Sequence, residues 1–406
     1  MPRLRVDVPL WLPQRRSSRL LFPSLHGTLK TDVVIVGGGI TGATAAWRFA
    51  EAGGRVALVE AARIGRGSTA ASSALLMKEP DEDFSALARR YGKDRTRRIW
   101  QLSTNANRRL IGTLRQLEIA CDLRLRDSVY YAPTQSDADH LRNEHRLRSD
   151  AGLGGRWLSR DGVNRATGLE AAGAIRTSGD AQVDPYRACV GLLRAAAGRG
   201  ARIFERTAAA SIKSGRHGVV VTTPRGAVHA DRVIIASGYA TPYFKPLLAR
   251  FRMLNTYVVV TRRMSATERR RIGLGAVMLW DTGRPYHYAR WTPDHRLMMG
   301  GGDRPLLPER ERREALRERT HGVHDHFLRL YPALAGIPLE WAWEGLFATT
   351  PDSLPYVGPH RRYPRHLFAL GYGGNGMTFG FLAAGLLLDW CQSGPSADHD
   401  LFAFSR

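Results

Sequence analysis

Asp32 to Glu60, DVVIVGGGITGATAAWRFAEAGGRVALVE, reads as a strand, a glycine turn, a helix and a second strand that ends on an acid. Val33 to Val36 is a continuous apolar run, the pattern of a parallel strand buried on both faces. Gly37, Gly39 and Gly42 follow as G-x-G-x-x-G, and each has a separate task. Gly37 permits the tight turn, Gly39 lets the backbone approach a pyrophosphate with no Cβ in the way, and Gly42 lets the helix pack close to the strand. The helix presents Ile40, Ala43, Trp47 and Ala50 at spacings of three and four, and Gly53-Gly54 stop it before the strand Arg55 to Glu60. Glu60, 18 residues beyond Gly42, is placed to accept hydrogen bonds from ribose hydroxyls and to repel a 2′-phosphate. A glycine-rich turn in some other βα unit shares the glycines but not the strand before, the helix after and the acid in register. The unit is therefore expected to bind a dinucleotide, with the phosphates on free N–H groups at the positive end of the helix near Ile40.

A chain of 406 residues exceeds what one core normally holds, so two domains are expected, and 43% hydrophobic content is enough to build both. No apolar run approaches the roughly 18 to 20 residues needed to cross a bilayer, so no membrane span is expected. The N-terminus carries Arg15-Arg16 with no apolar segment behind them, which is not an export signal. Cys121, Cys189 and Cys391 have no paired spacing, which fits a reducing cytoplasm and no metal framework. The formal charge of +23 raises the question of nucleic acid. Lysine, however, occurs only at 30, 78, 93, 213 and 245; arginine supplies the rest of the 60 basic residues and is spread through the whole chain. Clusters such as Arg89 to Arg98 alternate with acids or apolar residues, as solvated helix faces do, so a nucleic-acid partner is not expected.

Beyond Glu60, the stretch GSTAASSALL offers hydroxyls at Ser68, Thr69, Ser72 and Ser73 that could line a cofactor or merely a loop. Residues 81 to 120 and 134 to 153 carry helical periodicity. A helix from Pro185 to about Arg199, a strand Arg202 to Glu205, and a hairpin turning at Pro224 to Gly226 follow. The hairpin leads into VIIASG, whose end at Gly238 brings a second loop near the nucleotide. Residues 250 to 305 read as strands. In PYHYARWT the period of two puts Tyr286, Tyr288 and Arg290 on one face. Near the C-terminus comes another strand, the glycine loop GYGGNG and a helix from about Met377 to Trp390, so the nucleotide domain is interrupted in sequence.

In this order the pieces resemble the D-amino-acid-oxidase and glycine-oxidase family of FAD-dependent oxidoreductases, over nearly everything from Asp32 to about Trp390. The carriers are GGGITG with Glu60, GSTAASSALL, DPYRACVGLL, VIIASGY, PYHYARWT leading into GGGD, EGLFATTPDSLPYVGP at 344 to 359 and GYGGNGMT at 371 to 378. The resemblance implies an α/β fold: a Rossmann-like FAD-binding domain from 32–80, 176–240 and 346–395, and a mixed β-sheet substrate domain from 81–175 and 241–345. Residues 1–31 would be an N-terminal extension and 396–406 a C-terminal tail. Matched residue by residue, Gly37, Gly39, Ile40, Thr41 and Gly42 would meet the pyrophosphate and Glu60 the adenosine ribose. Ser68, Thr69, Ser72 and Ser73 would pass the ribityl chain, with Gly238 on the neighbouring loop. Gly373, Gly374, Asn375, Gly376, Met377 and Thr378 would face the pyrimidine side of the flavin, where the positive end of a helix meets the negative charge of the reduced ring.

The resemblance also implies removal of a hydride from the carbon next to an amine nitrogen, with oxygen or another acceptor reoxidising the flavin. Candidates for the substrate site are Tyr286, Tyr288, Arg290, Phe347 and Asn375. Covalently flavinylated members of the family carry a histidine or a cysteine at positions that here are Ala71 and Gly345, so dissociable FAD is expected. Glycine-oxidase-like members clamp the substrate carboxylate with arginines at positions that here are Phe347 and Gly374. Neither residue replaces a guanidinium fork, which points to an amine or a larger amino-acid derivative as substrate. Arg290 is the alternative carboxylate partner, or else a structural ion pair. Lys78, the only lysine near a cofactor motif, reads as a solvated loop residue. Two other readings stay open: a tRNA-modifying oxidase acting on a glycine-like group of a wobble uridine, and a flavin-binding protein without turnover.

Overall fold

The computed structural model describes residues 5–12, 21–239 and 241–406. The pair Arg15-Arg16 lies outside the described residues. Strand Val33–Val36, helix Ile40–Glu51 and strand Val56–Val59 form the expected opening unit. Val34 and Ile35 are fully buried because helices cover one face of their sheet and a second sheet covers the other. That sheet has six strands in the order Tyr356–His360, Tyr363–Leu370, Arg232–Gly238, Val33–Val36, Val56–Val59 and Arg202–Phe204. Arg232–Gly238 and Val56–Val59 both run parallel to Val33–Val36 and flank it, so their carboxyl ends open on a shared crevice, the usual ligand position of such a sheet. Helices Ile40–Glu51, Pro185–Gly198 and Gly376–Ser393 pack on one face, and a four-stranded sheet completed by Gly27–Lys30 packs on the other.

The second layer is a ten-stranded sheet. It is mixed: Val277–Asp281 runs parallel to Arg124–Ala132, whereas His287–Trp291, Leu297–Pro305, Arg252–Thr261 and Leu339–Thr349 follow one another antiparallel. The chain is thus an α/β protein with an interrupted nucleotide-binding sheet and a mixed second sheet.

The strands divide the chain at other points than the sequence implied. Gly173–Gln182 and Leu339–Thr349 belong whole to the ten-stranded sheet, so the limits at 176 and 346 each cut a strand. Helices Phe84–Tyr91 and Lys93–Gln116 bury Leu87, Ile99, Trp100 and Leu110 in the same core as the helix Gly376–Ser393, on the nucleotide side. Periodicity reveals that a helix has a buried face but not which layer it is buried against. The described part of residues 1–31 is more than an extension. Gly27–Lys30 pairs in parallel with Gly226–Ala230, and Arg5–Val6 pairs with Leu339–Thr349. The segment 396–406 is likewise part of the core: Phe402 is fully buried, and Arg406 forms a bidentate pair with buried Asp352 at 2.8 and 2.9 Å.

Candidate active site

One cavity of about 660 Å³ runs from the glycine turn to the inner wall of the ten-stranded sheet. At its nucleotide end lie Gly37, Gly39, Ile40, Thr41 and Glu60. Gly37 has φ +117°, and a Cβ there would stand 2.5 Å from the carbonyl oxygen of Ala236, so the position admits only glycine. Helix Ile40–Glu51 starts with no side-chain cap, and its first turn therefore keeps N–H groups without helical partners. Ile40 is the exception, because its N–H is donated to Thr69 Oγ1 at 2.9 Å. Gly42 does not line the cavity. A Cβ on it would collide with the Gly37 carbonyl, so its task is close packing rather than phosphate contact. Glu60 accepts N–H bonds from Gly38 at 2.7 Å and Ala62 at 2.8 Å, which orient the carboxylate toward the cavity. Burial raises its pKa and these two bonds oppose the rise.

The hydroxyl loop comes next. Ser68, Thr69, Ser72 and Ser73 all line the cavity. Ser68 Oγ donates to the Leu346 carbonyl at 2.6 Å, tying the loop to the far sheet. Trp11 Nε1 donates to the Ser72 carbonyl at 2.9 Å, so the chain's first described residues brace the loop from behind. The positions of family flavin attachment face each other here: a Cβ on Gly345 would meet the Ala71 methyl at 2.8 Å. Neither residue has a nucleophile.

Gly238 and the loop Gly373 to Met377 close the cavity, joined by a bond from Gly371 N–H to the Gly238 carbonyl at 3.0 Å. Buried Asn375 donates its amide to the Met77 carbonyl at 3.0 Å and the Glu79 carbonyl at 2.8 Å, leaving its Oδ1 without a partner. Thr378 departs from the expectation. It is fully buried, donates its hydroxyl to the Met77 carbonyl at 2.8 Å and lies off the cavity, because in the first turn of the helix its side chain faces Met77. Helix Gly376–Ser393 has no side-chain cap, so its positive end faces the cavity.

At the outer end stand Trp280, Tyr286, Tyr288, Phe347, Asp81 and Asp303. Tyr286 and Tyr288 share a face of strand His287–Trp291 and its approach, as the alternation required, with ring centroids 6.1 Å apart. Burial pushes the Tyr288 phenol up to about 12. Arg290 shares that face but not the cavity. It is 1% exposed, its Nε donates to the Ser73 carbonyl at 2.7 Å and its Nη2 to the Val183 carbonyl at 3.1 Å, and Trp11 lies under it at 5.1 Å. Arg290 is a brace for the hydroxyl loop and no substrate clamp; burial lowers its pKa to about 9. Lys78 lies off the cavity, with its ammonium on the Ser178 carbonyl.

Sequence reasoning missed Asp81, Trp280 and Asp303. Asp81 accepts the Gly374 N–H and is pushed up to about 7 by burial, with Asp303 adding to the rise. Asp303 is pushed up to about 6 by burial, with the nearby Thr256 hydroxyl, His287 and Arg304 opposing the rise. Asp303 closes the GGGD run, and its place after three strand glycines was the one available signal; nothing local marks Asp81.

Comparison with known proteins fits this arrangement. A model of the family described as FAD dependent oxidoreductase matches residues 32–390. Gamma-glutamylputrescine oxidoreductase of Escherichia coli (strain K12) is 27% identical over 94% of this chain and 88% of its own. Glycine oxidase of Bacillus licheniformis is 27% identical over 92% of this chain and 96% of its own. The crystal structure of glycine oxidase from Geobacillus kaustophilus superposes with a TM-score of 0.78 at 23% identity, covering 93% of this chain and 99% of that one. With a family model spanning most of its length and a nucleotide cavity of matching construction, the chain belongs to the FAD-dependent oxidoreductases.

Proposed function

We propose that this enzyme oxidises the C–N bond of an amine or amino-acid derivative, giving an imine that water hydrolyses. The observation that carries the reading is the single cavity joining the glycine turn and Glu60 to the aromatic wall of Trp280, Tyr286 and Tyr288. FAD, when bound, supplies the hydride acceptor. The protein's share is then positioning. Backbone N–H groups and Glu60 would hold the nucleotide end of the cofactor, and Ser68 to Ser73 would run along its middle. The uncapped helix Gly376–Ser393 begins at the cavity wall, where its positive end would favour negative charge on the bound cofactor. Tyr286, Tyr288 and Phe347 narrow the space in which the C–H bond must lie, and exclude water from it. Asn375 contributes by fixing the loop through its two carbonyl partners rather than by transferring a proton.

Relatives named for glycine and for gamma-glutamylputrescine support an amine substrate. Ala71 and Gly345 support FAD that dissociates. No helix among the described residues is long and apolar enough to cross a membrane, and the three cysteines are free thiols, which supports work in the reducing cytoplasm. The test is anaerobic rapid mixing with a panel of amines, each with and without deuterium on the carbon next to nitrogen. The expected result is bleaching of the flavin band that slows on deuteration, followed by recovery with oxygen or another acceptor. A flavin band that no amine reduces contradicts the reading.

A further inference from the structure

We propose that the cavity takes its substrate as a cation: Asp81 and Asp303, beside the rings of Trp280, Tyr286 and Tyr288, hold the ammonium of an amine whose reacting carbon bears no carboxylate, and the nitrogen gives its proton to a carboxylate before the hydride leaves. This deepens the amine-oxidation reading and rests on it.

Charge inventory carries the argument first. Among the described residues the only basic side chain lining the cavity is Arg63, at the nucleotide end with Glu60, whereas Asp81 and Asp303 both line the substrate end. A substrate carboxylate there would meet two acids and no cation. Nor is there room to supply one at the family's position. A Cβ on Gly374 would collide with Tyr286 Oη and stand 3.2 and 3.3 Å from the two oxygens of Asp81, so an arginine cannot enter without displacing both. The other family position, Phe347, is apolar.

Among the described residues, moreover, no salt bridge reaches either carboxylate, and Arg284, His287 and Arg304 act on them only from a distance. Asp81 is held by the Gly374 N–H. The Arg284 guanidinium donates to the Gly283 carbonyl at 3.0 Å rather than to Asp81. Arg304 donates to the main-chain carbonyl of Asp303 rather than to its carboxylate, and Asp303 Oδ1 is buried with no hydrogen-bond partner. Placing two such carboxylates in one low-dielectric space is unfavourable unless a cation joins them. The aromatic wall suits the same ligand. Trp280 is held rigid by stacking on Tyr130 at 3.7 Å and meets Tyr286 edge-on at 6.4 Å, so ring faces and hydroxyls surround the space. An ammonium there gains from the ring quadrupoles as well as from the carboxylates.

The test uses the FAD-loaded enzyme and two probes of similar shape and opposite charge that cannot be oxidised, benzyltrimethylammonium and benzoate, read by perturbation of the flavin spectrum. The expected result is saturable binding of benzyltrimethylammonium and at least tenfold weaker binding of benzoate. Asp81→Asn and Asp303→Asn should each weaken the cation about tenfold or more, with FAD content unchanged. Benzoate binding as tightly as the cation overturns the proposal, and so does cation binding that neither variant alters. If neither probe binds although amines still bleach the flavin, the cation subsite falls and amine oxidation stands. The wild-type comparison needs no variant, so a variant that fails to fold does not shelter the idea.

Discussion

The two ends of the cavity are made of different material. At the nucleotide end the contacts are main-chain: a glycine turn, the uncapped first turn of a helix and one carboxylate, Glu60, itself held by two backbone N–H groups. At the substrate end they are side chains delivered from separate parts of the chain, with Asp81 from a loop, Trp280 and Tyr288 from adjacent strands, and Asp303 from a third. Backbone geometry is set by a short run of residues and tolerates little change. A wall of side chains can exchange arginine for glycine, or gain an aspartate, while the sheet behind it stays the same. The difference teaches how the charge of a substrate end can change while the cofactor end stays the same.

The comparison is open to attack at several points. The largest effect is expected from Gly42→Ala, whose methyl would strike the Gly37 carbonyl; the variant should lose its flavin absorbance or fail to fold. Gly53→Ala is the control, since Gly53 has φ +84° with nothing within 4 Å, and should cost about 1 kcal/mol of stability while keeping FAD. Next is Arg406→Ala, which strands Asp352, a 4% exposed carboxylate, and should cost about 3–5 kcal/mol in thermal unfolding. The Arg406 partnership holds the Asp352 carboxyl well below the ordinary range, so its stabilisation is present above that range and is lost as pH falls toward the lowered value.

Smaller and more local is Glu60→Ala. FAD affinity, measured by equilibrium dialysis, should fall about 10- to 100-fold, whereas KM at saturating FAD should hold. Arg290→Lys should lower stability by about 1–2 kcal/mol, because a lysine cannot reach both the Ser73 and Val183 carbonyls with a planar fork. Its ratio of cation to benzoate affinity should be that of the wild type; a selective loss of anion binding would restore Arg290 as a carboxylate clamp. The smallest effect is on pH. Asp81 titrates at about 7 and Asp303 at about 6, with Glu82 raising Asp81, Arg284 lowering it, and His287 and Arg304 lowering Asp303. Ionised acids bind a fixed cation, so benzyltrimethylammonium affinity should weaken as pH falls through about 7 and should not weaken as pH rises.

The legible and illegible parts of the sequence follow the same division. Val33 to Glu60 could be read because every constraint in it is local: burial on two faces, glycine at the turn, an acid at a fixed offset. Tyr286 and Tyr288 could be placed on one face by their alternation. The same alternation put Arg290 there without revealing that it lies beyond the cavity rim, where carbonyls of Ser73 and Val183 claim it. Thr378 was likewise one residue beyond the last lining residue of its loop, Met377. Asp81 was invisible because its partner, Gly374, is 293 residues away, and only the assembled sheets bring them together.

The central claim is a dissociable FAD held at the glycine turn, and its most direct test is to equilibrate the purified protein with FAD, remove the excess and precipitate it with trichloroacetic acid. The account predicts about one flavin per chain, all of it released into the supernatant. A protein that stays colourless in excess FAD, or yellow colour that remains in the pellet, would contradict it.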